Sequence, residues 1–300
     1  MERLTIRRTD RFSVLELKSK SPPAASTPEE KEAVERLSEE LGWEVTCDVL
    51  TAGVHVLQLR KGHRFSNDDL FTAWRASAAN PHATTLLDLG SGIGSVGLST
   101  LAKMRGKGST LVGIEAQEIS WKLASAAVAM QPHLSTRVRF LKADLRNSEA
   151  ALAAQGLDQH YELVTGSPPY FPEDAAIKSP LPQRAPCRIE MRGCVYDYCE
   201  AAAKHLKPGA DARFAFVMLT NDPRTYDAPR RAGLAILEVW EYTFLSGRKP
   251  HISTLVCCLE GEAPATPLKR GHMLIRERDT GKFTEEHVAW KRFMLDSATA

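Results

Sequence analysis

The sequence predicts an α/β fold with a mostly parallel sheet, and three observations predict it. Short apolar runs alternate with helix-like stretches from Leu86 to Gly166. Three glycines alternate where the first of those runs meets the first such helix, and two further apolar runs near the end are separated only by a tight turn. Strands alternating with helices form βαβ units, whose crossovers cover both faces of a parallel sheet, and a tight turn between strands gives an antiparallel pair.

Taken in order, "SKSPPAAST" from Ser19 to Thr27 reads as a linker, and Thr27 caps a helix over "PEEKEAVERLSEELG", with Pro28 in its first turn and Gly42 at its stop. "WEVTCDVL" and "GVHVLQLR" alternate apolar and polar residues around Thr51 and Ala52, as a hairpin does. Residues 1–60 are therefore expected to form a linker, helix and hairpin extension, and residues 61–300 the main domain. There, strands are expected at "TLLDLG" (Thr85 to Gly90), "STLVGIE" (Ser109 to Glu115), "RVRFLKAD" (Arg137 to Asp144) and "YELVTG" (Tyr161 to Gly166). Helices are expected at "IGSVGLSTLAKMRG", at "QEISWKLASAAVAMQ" and from about Cys194 to Leu206, where "KPGA" stops the last. "ARFAFVML" supplies a further strand, and "AILEVWEYTFL" and "HISTLVCCLE" pair across "SGRKP".

A chain of 300 residues with 43% hydrophobic composition buries a full core. Lysine plus arginine number 39 against 37 acids, so total charge does not mark a nucleic-acid binder and local patches must decide. The longest apolar runs, such as "FAFVML", fall far short of the ~18 residues of a membrane span. The six cysteines form no CxxC pair, which suits reduced thiols in an intracellular, cytoplasmic protein; Arg7, Arg8 and Arg11 are interrupted by acids and make a weak organelle signal. Cys187, Cys194 and Cys199 lack the spacing of a zinc site, and no metal is expected.

The chemistry concentrates at strand ends. In "LLDLGSGIG", Gly90, Gly92 and Gly94 let backbone approach a ligand at a helix N-terminus. Asp88 precedes them, and Glu115 and Asp144 end the next two strands. A dinucleotide phosphate repels such acids. S-adenosylmethionine (SAM) instead offers an amino group, a ribose diol and an adenine amine, all donors to carboxylates. The plainer alternatives are that Asp88 and Asp144 cap helices and that Glu115 is a solvated loop acid.

"GSPPYFP", Gly166 to Pro172, follows the fourth strand and falls at the mouth of the same pocket, since open α/β sheets bind ligands at their carboxyl edge. Pro168 and Pro169 fix φ and remove two donors, Ser167 Oγ and the Pro168 carbonyl can accept from a substrate –NH2, and Tyr170 offers a ring for stacking a planar base. A Pro-rich turn with buried aromatics is the alternative.

The set "DLGSGIG", "GIEAQ", "LKADLR" and "SPPYF" resembles the class I SAM-dependent methyltransferases that act on amino nitrogens, and more narrowly the bacterial tRNA(valine) adenine-N6 methyltransferase family. "KGHRFSNDDLFTAW", "RIEMRGCVYDYCEAAAKHLKPG" and "DTGKFTEEHVAWKRFML" are similar to that family's flanking segments, so the resemblance runs from about His55 to Leu295. It implies a Rossmann-like fold with a seven-stranded mixed sheet, "HISTLVCCLE" being the one antiparallel strand. It also implies SAM as cofactor, with Asp88, Gly90, Gly92 and Gly94 at its methionine end, Glu115 on the ribose and Asp144 on the adenine amine. Phe65, with Asn67 or Asp68, would border the cofactor. Ser167, Pro168, Pro169 and Tyr170 would hold the target amine, and Phe171 and Arg188 would contact substrate.

The resemblance therefore implies methyl transfer to adenine N6 of a structured RNA such as tRNA. This chain has Ser167 where the family has asparagine, so SPPY replaces NPPY. That departure leaves a small-molecule amine, cytosine N4 or a protein glutamine as other targets, and a catalytically silent scaffold as another class. RNA would be gripped by Lys178, Arg184, Arg188 and Arg192, and by Lys269, Arg270, Arg276 and Arg278, all interspersed with acids. His63, His133 and His251 are read as surface or core residues rather than bases.

Overall fold

The computed structural model describes residues 27–51, 53–106, 108–175, 183–209 and 211–296. The linker before Thr27, the N-terminal arginines and Lys178 lie outside the described residues. Thr27 Oγ1 accepts the Glu30 amide while the Glu30 carboxylate accepts the Thr27 amide, and this reciprocal cap starts helix α1 (Pro28–Leu41). Gly42, at φ +66°, ends it. Strands β1 (Val45–Thr51) and β2 (Val54–Leu59) form the antiparallel hairpin. Helix α2 (Asn67–Ala79) opens with the same kind of cap, between Ser66 and Asp69.

The main sheet and its helices then follow: β3 (Thr85–Leu89), α3 (Ser95–Lys103), β4 (Thr110–Glu115), α4 (Glu118–Ala129), the single turn α5 (Pro132–Ser135), β5 (Val138–Lys142), α6 (Ser148–Ala154), β6 (Leu163–Gly166) and α7 (Val195–His205). The chain continues with β7 (Arg213–Leu219), α8 (Arg224–Arg231), β8 (Leu234–Thr243), β9 (Ile252–Leu259), β10 (Lys269–Leu274) and α9 (Glu285–Leu295). Strand order is β10-β8-β9-β7-β6-β3-β4-β5, and β9 alone runs against its neighbours.

Among the described residues the sheet has eight strands where seven were expected. The additional one, β10, pairs in parallel with the outer side of β8, Lys269 opposite Glu238 through Leu274 opposite Thr243. As an edge strand it keeps Lys269, Arg270 and His272 exposed and buries only Met273, so it lacks the apolar run that marks an interior strand.

Alternation along β7 shows how the two faces are filled. Phe214, Phe216 and Met218 point into the layer made by α6, α7 and α8, while Ala215 and Val217 point into the layer of α2, α3, α4 and α9. Burying one such phenylalanine contributes about 1.5–3 kcal/mol. On the second face Phe71 of α2 stacks on Tyr242 at 3.8 Å, and the Arg75 guanidinium lies against both Trp74 and Trp240, 4.8 and 4.6 Å from the centroids of two rings that meet edge to face, and pairs with Glu238.

The hairpin is fastened to this layer. The Gln131 carboxamide accepts the His55 amide at 2.8 Å and donates to the His55 carbonyl at 2.9 Å. The Thr51 hydroxyl donates to the Met294 carbonyl at 2.7 Å, and Lys103 Nζ donates to the carbonyls of Phe293 and Asp296. Among the described residues no helix is long and apolar enough to cross a membrane.

Candidate functional site

After β3 the chain turns through Gly90, Gly92 and Gly94, with φ of +58°, +56° and +86°. L-residues avoid this left-handed region. Space excludes side chains as well: a Cβ on Gly90 would sit 1.9 Å from the Tyr198 hydroxyl oxygen, and one on Gly94 2.6 Å from the Phe140 ring. Gly94 is the N-cap of α3, and the turn forms one wall of a cleft enclosing about 880 Å³ of space, part of it open to solvent.

The three acids at successive strand ends are placed differently. Asp88 is 1% exposed, and both its oxygens are taken, Oδ2 by the Gly97 amide at 2.9 Å and Oδ1 by the Thr165 hydroxyl at 2.8 Å. It joins β3, α3 and β6 behind the cleft wall, and burial pushes its carboxyl up to about 6. Glu115 lines the cleft, accepting the Gly92 amide at 2.7 Å and the Gln117 amide at 2.6 Å, and burial raises its pKa. Asp144 accepts the Arg146 amide at 2.9 Å and Nη2 at 2.5 Å and caps the turn at 145–147; Arg146 lowers its pKa. Its neighbours Ala143 and Leu145, not Asp144, line the cleft.

Across from the glycines, the N-terminus of α2 supplies Phe65 and Asp69 to the cleft. Asp69 accepts the Ser66 amide and the Ser95 hydroxyl, both at 3.1 Å, and burial pushes its carboxyl to about 7. Sequence reasoning missed Asp69, although Ser66 three residues ahead of an acid and before "LFTAW" is a helix-cap signal. Tyr198 of α7, also missed, lines the cleft with its hydroxyl beside Gly90. Asn67 is the first residue of α2, outside the cleft lining.

The Pro-rich loop leaves β6 directly at this cleft. Ser167 and Pro169 line it, whereas Pro168 is buried behind and Tyr170 and Phe171 stand farther out, half-buried. The Tyr170 hydroxyl donates to Asp68 Oδ2 at 2.9 Å; burial raises the pKa of both groups. The Tyr170 carbonyl accepts Arg224 Nη2 at 3.3 Å, and Arg224 also pairs with Asp222 at 2.7 Å and Glu190 at 2.6 Å. Phe171 exchanges backbone bonds with Arg188 at 3.1 Å and Glu190 at 3.0 Å, and the exposed Arg188 guanidinium stands 5.7 Å from the Phe171 ring centre. The loop is thus held by its hydroxyl, its carbonyl and its backbone.

His63 also lines the cleft; burial, then Arg188 and Arg184, push its imidazole down to about 4, so it is neutral at neutral pH. Arg192 donates to the Ala116 carbonyl at 2.9 Å on the same flank. The loops that follow β8 and β10 reach the same carboxyl edge, because both strands run parallel to β6. They carry exposed Arg248, Lys249 and Arg278, and Arg276 stacked 3.7 Å from the Phe283 ring centre; among the described residues none of the four has a carboxylate partner within 4.0 Å. Lys269 and Arg270 lie at the opposite end of β10, and Lys269 pairs with Glu238 at 3.2 Å.

No family model matches the chain, and no curated protein matches it in sequence. Solved structures do. A predicted O-methyltransferase from Agrobacterium tumefaciens is similar at a TM-score of 0.55 and 18% identity, over 77% of this chain and 99% of that one. The methyltransferase subunit of a type I restriction-modification system from Streptococcus thermophilus is similar at a TM-score of 0.51 and 15% identity, over 77% of this chain and 53% of that one. The chain spans about half the length of the latter. These likenesses establish the fold as the Rossmann-like fold of class I methyltransferases.

Proposed function

We propose that the chain transfers a methyl group from SAM to an exocyclic amine, adenine N6 of a structured RNA such as tRNA. One observation carries this function: Ser167 and Pro169 line the same cleft as the glycine turn and Glu115. The cleft's chemistry fits SAM. Asp69 and Glu115 are carboxylates buried, among the described residues, without a cation bonded to them, which favours a ligand bearing ammonium and sulfonium charge over a phosphate. Each Glu115 oxygen accepts one backbone amide and keeps a lone pair for a ribose hydroxyl.

When bound, SAM supplies a methyl group carried on a sulfonium. The chain's own residues would prepare the amine. Ser167 Oγ and the Pro168 carbonyl would accept its two hydrogens, drawing the nitrogen toward tetrahedral geometry and turning its lone pair into the cleft. Tyr170, tethered by Asp68, would hold the base plane by stacking, worth roughly 1–3 kcal/mol. Asp88 would act as a positioning residue, fixing the glycine turn against β6. A base in folded RNA must be exposed or flipped to reach this depth. The cations Arg184, Arg188 and Arg192 on one flank and Arg248, Lys249, Arg276 and Arg278 on the other would meet its phosphates.

The test is transfer from methyl-labelled SAM to total RNA of cells lacking the protein, followed by nucleoside digestion and mass spectrometry, with denatured DNA, a protein extract and a metabolite extract alongside. Labelled N6-methyladenosine in RNA is the expected result. Label confined to another extract would overturn the RNA assignment, and label in none would leave a silent scaffold.

A further inference from the structure

Outside the cleft lining, α1 and the hairpin bring three side chains of metal-binding type to one point. Glu30 is on the first turn of α1, Cys47 on β1 and His55 on β2, and one donor atom of each lies within 4.8 Å of the other two. In the register Cys47 opposes Leu57 and Val49 opposes His55, so Cys47 and His55 are diagonal neighbours on one face of the hairpin. We propose that Glu30, Cys47 and His55 bind one zinc ion, with water completing a tetrahedron, and that the ion clamps α1 to the hairpin.

The donor set is one that zinc takes, an imidazole nitrogen, a thiolate and a carboxylate oxygen. Zinc–ligand lengths of 2.0–2.3 Å correspond to tetrahedral edges of roughly 3.3–3.8 Å, and the three donor atoms already lie within 4.8 Å of one another. One of the three ligands is already oriented by another group, as metal ligands are, and the backbone of a second is fixed. Glu30 Oε2 is held by the Thr27 amide at 2.9 Å, which leaves Oε1 on His55 Nδ1. The His55 backbone is held on both sides by Gln131.

A simple Glu30–His55 pair leaves the thiol unexplained. Cys47 Sγ has no hydrogen-bond partner among the described residues and faces the negative charges of Glu30 and Asp48. A divalent cation at this point would bring positive charge to all three donors and take the place of the thiol proton. The ligands come from three separate elements, so no local cysteine–histidine spacing announces them. His55 keeps 23% of its side chain exposed, an entry for the ion and for the water ligand.

The probe is Co2+ titrated into the reduced full chain, with zinc content measured by mass spectrometry. One Co2+ per chain, intense tetrahedral d–d bands and a thiolate-to-metal charge-transfer band are expected, all displaced by an equivalent of Zn2+. Cys47→Ser should lose the charge-transfer band and His55→Gln should weaken binding at least tenfold, while Cys194→Ser keeps both. Zinc should raise the melting temperature of the wild type and not of His55→Gln. Absence of the band, its survival in Cys47→Ser, or its loss only in Cys194→Ser would each overturn the site. If Cys47→Ser does not fold, the wild-type spectrum together with Glu30→Gln and His55→Gln decides, because a thiolate band that ignores both substitutions belongs elsewhere.

Discussion

Replacing Asp88 separates direct ligand contact from positioning. Its carboxyl, at about 6 rather than 3.8, is ionised in place at neutral pH at a cost of about 3 kcal/mol, and its oxygens serve Gly97 N and Thr165 Oγ1. Asp88→Asn keeps both partners satisfied: the amide oxygen accepts from Gly97, and the amide nitrogen donates to a reoriented Thr165 hydroxyl. Because the folded value lies above the unfolded one, the native state holds an extra proton between about pH 4 and 6, so stability falls as pH rises through that window. Asp88→Asn should remove the Asp88 share of that fall, leaving the share of Asp69, whose carboxyl is raised to about 7, and keep stability at pH 7 equal or higher. Asp88→Ala strands two buried donors at about 1–3 kcal/mol each, a loss of about 2–6 kcal/mol. Thermal melts between pH 4.5 and 7.5 read the stability and calorimetry reads SAM binding. Asp88→Asn should keep SAM affinity within about tenfold, or 1.4 kcal/mol. A hundredfold loss with an unchanged melt would refute the positioning role and put the carboxylate on the ligand.

Gly90→Ala, with its Cβ 1.9 Å from the Tyr198 hydroxyl oxygen and a left-handed φ, should weaken SAM binding by a hundredfold or more and lower the melting temperature; unchanged calorimetry would remove the turn from the cofactor site. Tyr170→Phe loses the bond to Asp68, and steady-state kinetics should show methyl transfer falling up to tenfold; Tyr170→Ala should cost roughly 5- to 150-fold from lost stacking, with SAM affinity intact in both. Ser167→Asn should retain or raise adenine methylation in the labelled-RNA assay, and complete loss would indicate a target of another size. Charge reversal at Arg248, Lys249 and Arg278 should weaken RNA binding and flatten its salt dependence by about one unit of slope per lost phosphate contact, in binding titrations across salt concentrations.

Much of this architecture was legible because it rests on local rules. Thr27 with Glu30 and Gly42 announces α1, the glycines at 90, 92 and 94 announce a left-handed turn, and the prolines after Gly166 announce a loop that leaves the sheet. What stayed hidden depends on distant partners. Glu115 lines the cleft, whereas Asp88 and Asp144, which look the same in sequence, lie outside its lining and bond to Thr165, Gly97 and Arg146. Tyr198 reads as one more apolar residue of α7 until Gly90 and Gly166 are seen to make room for its ring. Strand β10 escaped because its residues are mostly polar and exposed, and nothing in "KRGHML" states that β8 lies beside it.

The bonds that tie the hairpin and α3 to the end of α9 also set an order of events during synthesis. Thr51 meets Met294 across 243 residues, and Lys103 meets Phe293 and Asp296 across 190 and 193. At about 5–20 residues per second a ribosome needs roughly 12–50 s to make the intervening chain. The hairpin and α3 emerge early and wait for this last partner, with the Thr51 hydroxyl and the Lys103 ammonium bonded to water in the meantime. For this chain the nascent interval, more than the finished fold, is when chaperones and proteases have access to the surface that α9 later covers.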